Sequence, residues 1–202
     1  MNIIHKTLLS IVLIFLSSCT NTQNYQPRNG DIIFQSSGDG QISRMIEYAT
    51  KSWYSHSGLV VKKNNNWFVR EAVGPVKDTP LKKWQARGKN KWIDVYRLKK
   101  EYQKHIPAMI KNSAKYLGRP YDKKYKFDDK KIYCSELIFK AYKDSTKNNL
   151  GQIVTLDQLD YKKFTKQIKI IEGGKVPLKR KMITPWHLSQ AHQLKLTYSN
   201  KK

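Results

Sequence analysis

Two rhythms of apolar positions run along the chain, and each change of rhythm marks an element. Ile42, Met45, Ile46 and Ala49 recur at helical spacing, which predicts an amphipathic helix over Gln41–Thr50. Gly30-Asp31-Ile32-Ile33-Phe34-Gln35 reads as a turn followed by a short buried strand. Ser57–Lys62 and Asn66–Val73 are two further strand-like runs, and Lys63-Asn64-Asn65 between them has the chemistry of a hairpin turn. Pro80–Ala86 suits a short helix with proline at an early position. Trp92–Leu98 alternates as a strand. Pro107–Leu117 returns to helical spacing, with Ile110, Ala114 and Leu117 on one face, and Gly118-Arg119-Pro120 stops it. Cys134–Tyr142 is a second amphipathic helix; Gln167–Glu172 reads as a strand and Pro185–Gln193 as a short helix. No repeat or low-complexity block interrupts this order. Mixed strands and helices imply an α+β fold with an antiparallel sheet packed against helices.

The N-terminus follows a different pattern. Lys6 precedes an apolar run, Leu8–Leu16, of nine residues, too short for a permanent membrane span and suited to the centre of a secretory signal. Leu16-Ser17-Ser18-Cys19 resembles the lipobox of bacterial lipoproteins, so residues 1–18 are expected to be removed and Cys19 to carry lipid. Several acyl chains together give firm anchoring, whereas one binds only marginally. Thr20 follows the cysteine where an inner-membrane retention signal has aspartate. In a Gram-negative cell that implies an outer-membrane anchor facing the periplasm. Residues 19–29 are polar and aperiodic and read as a lipidated tether, leaving 30–202 as one domain of moderate size.

Charge narrows the partners. The chain carries 39 Lys plus Arg against 15 acidic residues, a net +24. This fits either a lysine-rich solvated surface or attraction to anionic headgroups and cell-wall polymers. Nucleic acid is not an expected partner: no zinc finger, glycine-rich RNA motif or basic recognition helix is present. His105, His187 and His192 show no metal-ligand spacing with cysteine, so neither a metal nor a cofactor is expected.

With Cys19 consumed by lipid, Cys134 is the one free thiol of an exported protein, a candidate nucleophile. It opens a helix-like run, where N–H groups and partial positive charge favour a thiolate and suit the oxyanion of an attacked carbonyl. His56 precedes an apolar strand between small residues, Ser55 and Ser57, which leaves room for a substrate. Folding the hairpin about Lys63-Asn64 sets position 56 opposite 71, bringing a carboxylate, Glu71, to the imidazole. A carboxylate there fixes the tautomer and stabilises the imidazolium, as the third member of a Cys-His-acid triad does.

These segments carry a resemblance. Gly30-Asp31-Ile32-Ile33-Phe34, Ser55-His56-Ser57-Gly58-Leu59-Val60, Glu71-Ala72, Tyr121-Asp122 and Tyr133-Cys134-Ser135-Glu136-Leu137 resemble the circularly permuted papain-like amidases of the YiiX and YaeF type, within the NlpC-like thiol hydrolases. In that branch the histidine strand precedes the cysteine helix, as here, and the likeness covers residues 28–145. It implies a permuted papain-like fold, Cys134 as nucleophile, His56 as base, Glu71 as orienting acid, and Tyr121 at the wall of the substrate pocket. The expected activity is a membrane-anchored cysteine hydrolase that cleaves an amide or ester of a cell-envelope peptide or lipid through an acyl-enzyme. The alternatives are a lipid acyltransferase or deacylase of the same fold, and a non-catalytic envelope-binding lipoprotein.

Overall fold

The computed structural model describes residues 24–201. Six strands form one antiparallel sheet in the order β4-β3-β2-β1-β5-β8: β1 (Ile32–Gln35), β2 (His56–Lys63), β3 (Asn66–Ala72), β4 (Val76–Pro80), β5 (Asp94–Leu98) and β8 (Leu194–Ser199). Two short strands, β6 (Val154–Thr155) and β7 (Lys181–Met182), pair separately. The helices are α1 (Gln41–Thr50), α2 (Leu81–Arg87), α3 (Ile106–Ala114), α4 (Cys134–Thr146), α5 (Thr165–Glu172) and α6 (Pro185–Ser189). The α+β expectation therefore holds.

Both faces of the central strands are covered, so they are apolar nearly throughout rather than in alternation. Ile32, Phe34, Leu59 and Val61 face α3 and α4, packing with Met109, Ile138 and Tyr142. Ile33, Val60, Val69 and Val95 face the other way and surround Trp84 of α2. Gly58 lies at the tightest point of that second layer, where a Cβ would stand 2.1 Å from Cγ1 of Val69 and 3.3 Å from the Arg70 carbonyl oxygen. Gly58→Ala is expected to cost about 1–3 kcal/mol by overpacking, read as a lower urea midpoint at unchanged slope.

The β2–β3 hairpin corrects one sequence expectation. Asn64 and Asn65 both take left-handed conformations, φ 46° and 61°, so the turn is a two-residue one of the primed kind. It centres on Asn64-Asn65 instead of Lys63-Asn64. Lys63 pairs with Asn66 and Leu59 with Arg70; one step further along, Glu71 falls beside Gly58, not opposite His56. A shift of two residues keeps side chains on their original face, so the two groups still meet, on the diagonal.

Residues 167–172, expected as a strand, are helical in α5. The β-branched Ile168, Ile170 and Ile171 favour a strand locally. Turning Ile168 and Ile171, three positions apart, to one side against the cavity overrides that preference, and Gly173 closes the helix in a left-handed cap at φ 77°. Strands β4 and β8 complete the sheet where the sequence pattern shows little, because most of their residues are partly or fully exposed. Near the start of the described chain, Tyr25 packs on the domain: its hydroxyl donates to Asp31 Oδ2 at 2.8 Å and its ring lies 5.5 Å from that of Tyr198. Arg97 also reaches Asp31, at 2.6 Å.

Candidate active site

Cys134 is the first residue of α4, and Tyr133 before it is extended, with φ −107° and ψ 170°. Glu136, in the first turn, accepts the Tyr133 N–H at 3.3 Å and pairs with Lys140 at 2.9 Å. The thiol is therefore set where the helix's unpaired N–H groups gather. It is 1% exposed. The His56 ring on β2 and the backbone N–H groups of Ser57 and Ser135 favour its anion.

His56 starts β2 and is itself buried. Its Nε2 lies 2.5 Å from Glu71 Oε2, which leaves Nδ1 as the ring nitrogen for the thiol. Trp84 stacks on the ring at 5.8 Å between centroids. Glu71 is fully buried and heavily supported. Thr79 Oγ1 donates to Oε1 at 2.6 Å, while Trp84 Nε1 at 2.9 Å and Arg87 Nη2 at 2.5 Å donate to Oε2.

The electrostatics follow from this geometry. Burial alone would hold the Glu71 acid neutral, but His56, Arg87 and Thr79 stabilise its anion and bring its pKa down to about 2. Burial pulls the His56 imidazolium down as well. Hydrogen bonds and charge from Cys134 and Glu71 outweigh that and raise it to about 9. For Cys134, burial pushes the thiol up, and His56 with the two N–H donors more than reverses it, so its pKa is lowered. Between the lowered thiol value and about 9, the pair is a thiolate beside an imidazolium.

A pH dependence follows, with both signs fixed. Thiolate is lost as pH falls below the Cys134 value, and imidazolium is lost as pH rises through about 9. Alkylation of Cys134 by iodoacetamide should thus already be fast at neutral pH, where an ordinary thiol, with a pKa of about 8.5, is mostly protonated. A single rise centred near an ordinary thiol's value would contradict the coupling.

Tyr121, expected at the pocket wall, is half-buried, with its hydroxyl 3.3 Å from that of Tyr125. The Cys134 charge is felt at both rings. Tyr125 itself lines a cavity that opens on Cys134 and Ser135. The empty space between its walls, with the open mouth and the solvent in it included, is about 870 Å³. Its walls are almost entirely apolar: Ile42, Met45 and Ile46 of α1 face Ile168 and Ile171 of α5, with Met182 beyond. Lys123, Lys124 and the ion pair of Arg180 with Glu172 are the charged groups on its lining. The cavity wall, Trp84, Thr79, Arg87 and Tyr125 give no signal in the sequence; their elements are far apart in the chain and meet only on folding. Cys19 lies outside the described residues, and no helix among them is long and apolar enough to cross a membrane.

A strand-borne histidine ahead of a cysteine on a helix N-terminus is the permuted order of the papain-like hydrolases. The family model of permuted papain-like amidases of the YaeF/YiiX type, family C92, matches residues 26–198, and the chain belongs to that family. Among its relatives is the uncharacterized protein YiiX of Escherichia coli K12, 38% identical over 173 residues that cover 84% of this chain and 85% of that one. The crystal structure of the metalloprotein YiiX from Escherichia coli O157:H7 superposes with a TM-score of 0.80 at 35% identity, covering 88% of this chain and all of that one.

Proposed function

We propose that this chain is a thiol acyl hydrolase that takes a long apolar acyl group, in amide or ester linkage, with Cys134, His56 and Glu71 as its catalytic triad. The observation that carries the acyl specificity is the apolar cavity that begins at Cys134. An acyl chain lying in it presents its carbonyl to the sulfur.

The Cys134 thiolate attacks the carbonyl carbon, and the electron pair moves to the carbonyl oxygen. We assign the Cys134 N–H at the start of α4 as a donor to that oxyanion, a form of stabilisation often worth several kcal/mol in acyl transfer, about 3–4 for one donor. Collapse of the intermediate breaks the bond to the leaving group, an amine or alcohol, which takes the proton held at His56. The thioester left on Cys134 is then attacked by water. His56 accepts the water's proton, and the free acid departs as the thiolate reforms. Glu71 holds the imidazole by Nε2 and stabilises its charged form in both halves of the cycle.

YiiX from E. coli O157:H7 is described as a metalloprotein. Among the described residues of this chain, no three of His, Cys, Asp or Glu gather as a metal-binding group. The chemistry above is carried by side chains and the helix terminus. We further propose that the substrate lies in the cell envelope and that a lipid-modified Cys19 holds the enzyme there; the mass of the N-terminal peptide tests this, and an unmodified Cys19 would overturn it.

The acyl specificity is tested by a series of acyl amides and esters of increasing chain length. Each methylene buried is worth about 0.8 kcal/mol, so kcat/KM should climb by up to about fourfold per methylene until the cavity is filled. Met45→Trp, which fills the cavity, should remove that climb while sparing the acetyl substrate. A flat chain-length profile would overturn the assignment.

A further inference from the structure

We propose that α5 and the loop after it dock on an anionic bilayer surface, so that an acyl chain passes from the membrane into the cavity that α5 walls. This rests on the acyl specificity proposed for the cavity.

One side of α5 is already used: Ile168 and Ile171 form cavity wall. The other side is apolar too. Ile170 is 72% exposed, the most exposed large apolar side chain among the described residues. A helix with apolar side chains both inward and outward is one helix thick between the cavity and whatever lies outside. Leu178, in the return loop, is also exposed. At the start of the helix, Phe164 carries the patch across to α1, where it meets exposed Tyr48 edge-on at 5.4 Å between centroids.

The surroundings of these groups identify the partner. Residues 162–181 hold eight Lys or Arg against one acidic residue, Glu172. That glutamate is neutralised by Arg180, and one of the lysines, Lys179, is bound to Asp157. Lys166 and Lys169 flank Ile170, Lys175 precedes Leu178, and all three are exposed. Lys163 lies 4.7 Å above the Tyr48 ring. Isolated exposed apolar residues need no explanation. Apolar residues at the centre of an uncompensated basic field, on an amphipathic helix at the mouth of an apolar cavity, match the interfacial mode of membrane binding. There, apolar side chains enter the headgroup boundary and lysines meet anionic lipid.

The test places an environment-sensitive fluorophore on Ile170→Cys in the mature chain, residues 19–202, carrying Cys19→Ser and Cys134→Ala. That chain has no other thiol and no turnover. Phosphatidylglycerol vesicles should raise the emission severalfold and shift it to the blue. The rise should fall away at roughly 0.5 M salt, where the Debye length is only a few ångströms. Lys166→Glu with Lys169→Glu should reduce it at least threefold. A probe at Leu196→Cys, exposed on β8 outside the patch, should stay dark. No rise at 170, an equal rise at 196, or an equal rise on phosphatidylcholine would overturn the proposal. So would a rise without vesicles that depends on protein concentration, which would make the patch an interface between copies of the chain. Because this protein is catalytically inert, failure here leaves the wild-type chain-length assay on dispersed substrates as an independent test of the acyl hydrolase activity.

Discussion

Cys134→Ala should abolish covalent turnover, lowering kcat/KM by on the order of 10⁴-fold or more, since a nucleophile at the head of a catalytic unit has no substitute. Folding should be barely affected. The thiol is small and buried, and alanine fits its volume with a cavity of a single atom. Removing the sulfur also removes the anion that His56 balances. His56 should then titrate at lower pH in the variant, which NMR of the imidazole resonances can follow. Retained turnover in Cys134→Ala would remove the thiol from the mechanism.

Glu71→Gln has the second largest expected effect. The carboxylate accepts from His56, Thr79, Trp84 and Arg87 at once, and its anion is strongly favoured, with a pKa of about 2. An amide keeps the shape and loses the charge. The imidazolium is then held only by the thiolate, so the His56 value falls from about 9. The high-pH limb of the kcat/KM profile should move to lower pH, with kcat down on the order of 10²-fold. A merely structural Glu71 would change stability and leave that limb in place. Unaltered pH limbs in Glu71→Gln would therefore take it out of the triad.

The residues that carry local signals are legible without the fold. Gln41–Thr50 is helical over the expected span because four apolar residues at helical spacing define it. Cys134 and His56 stand out by their immediate context, a helix start and a strand start. Hairpin parity alone places Glu71 near His56. The register differs from expectation by two residues because two asparagines in left-handed conformations move the centre of the turn. What the sequence does not disclose depends on distant contacts. Val76–Pro80 offers one buried residue in five, too little pattern for a strand, yet it delivers Thr79 to Glu71. Residues 165–172 have the composition of a strand and form a helix because only that spacing turns Ile168 and Ile171 inward together. The cavity is assembled from α1, residues 123–125, the start of α4 and the segment from 156 to 185 that includes α5, and no single stretch of chain announces it.

The proposed chemistry puts a long acyl group on Cys134 during turnover. The direct measurement is intact-protein mass spectrometry after brief incubation with an envelope lipid extract and acid quench, with the adduct mapped by peptide mass and challenged with hydroxylamine. The expected result is a hydroxylamine-sensitive added mass equal to a fatty acyl group, on the peptide containing Cys134 and absent from Cys134→Ala. An unmodified Cys134 under turnover, or an adduct with the mass of a peptide, would contradict it.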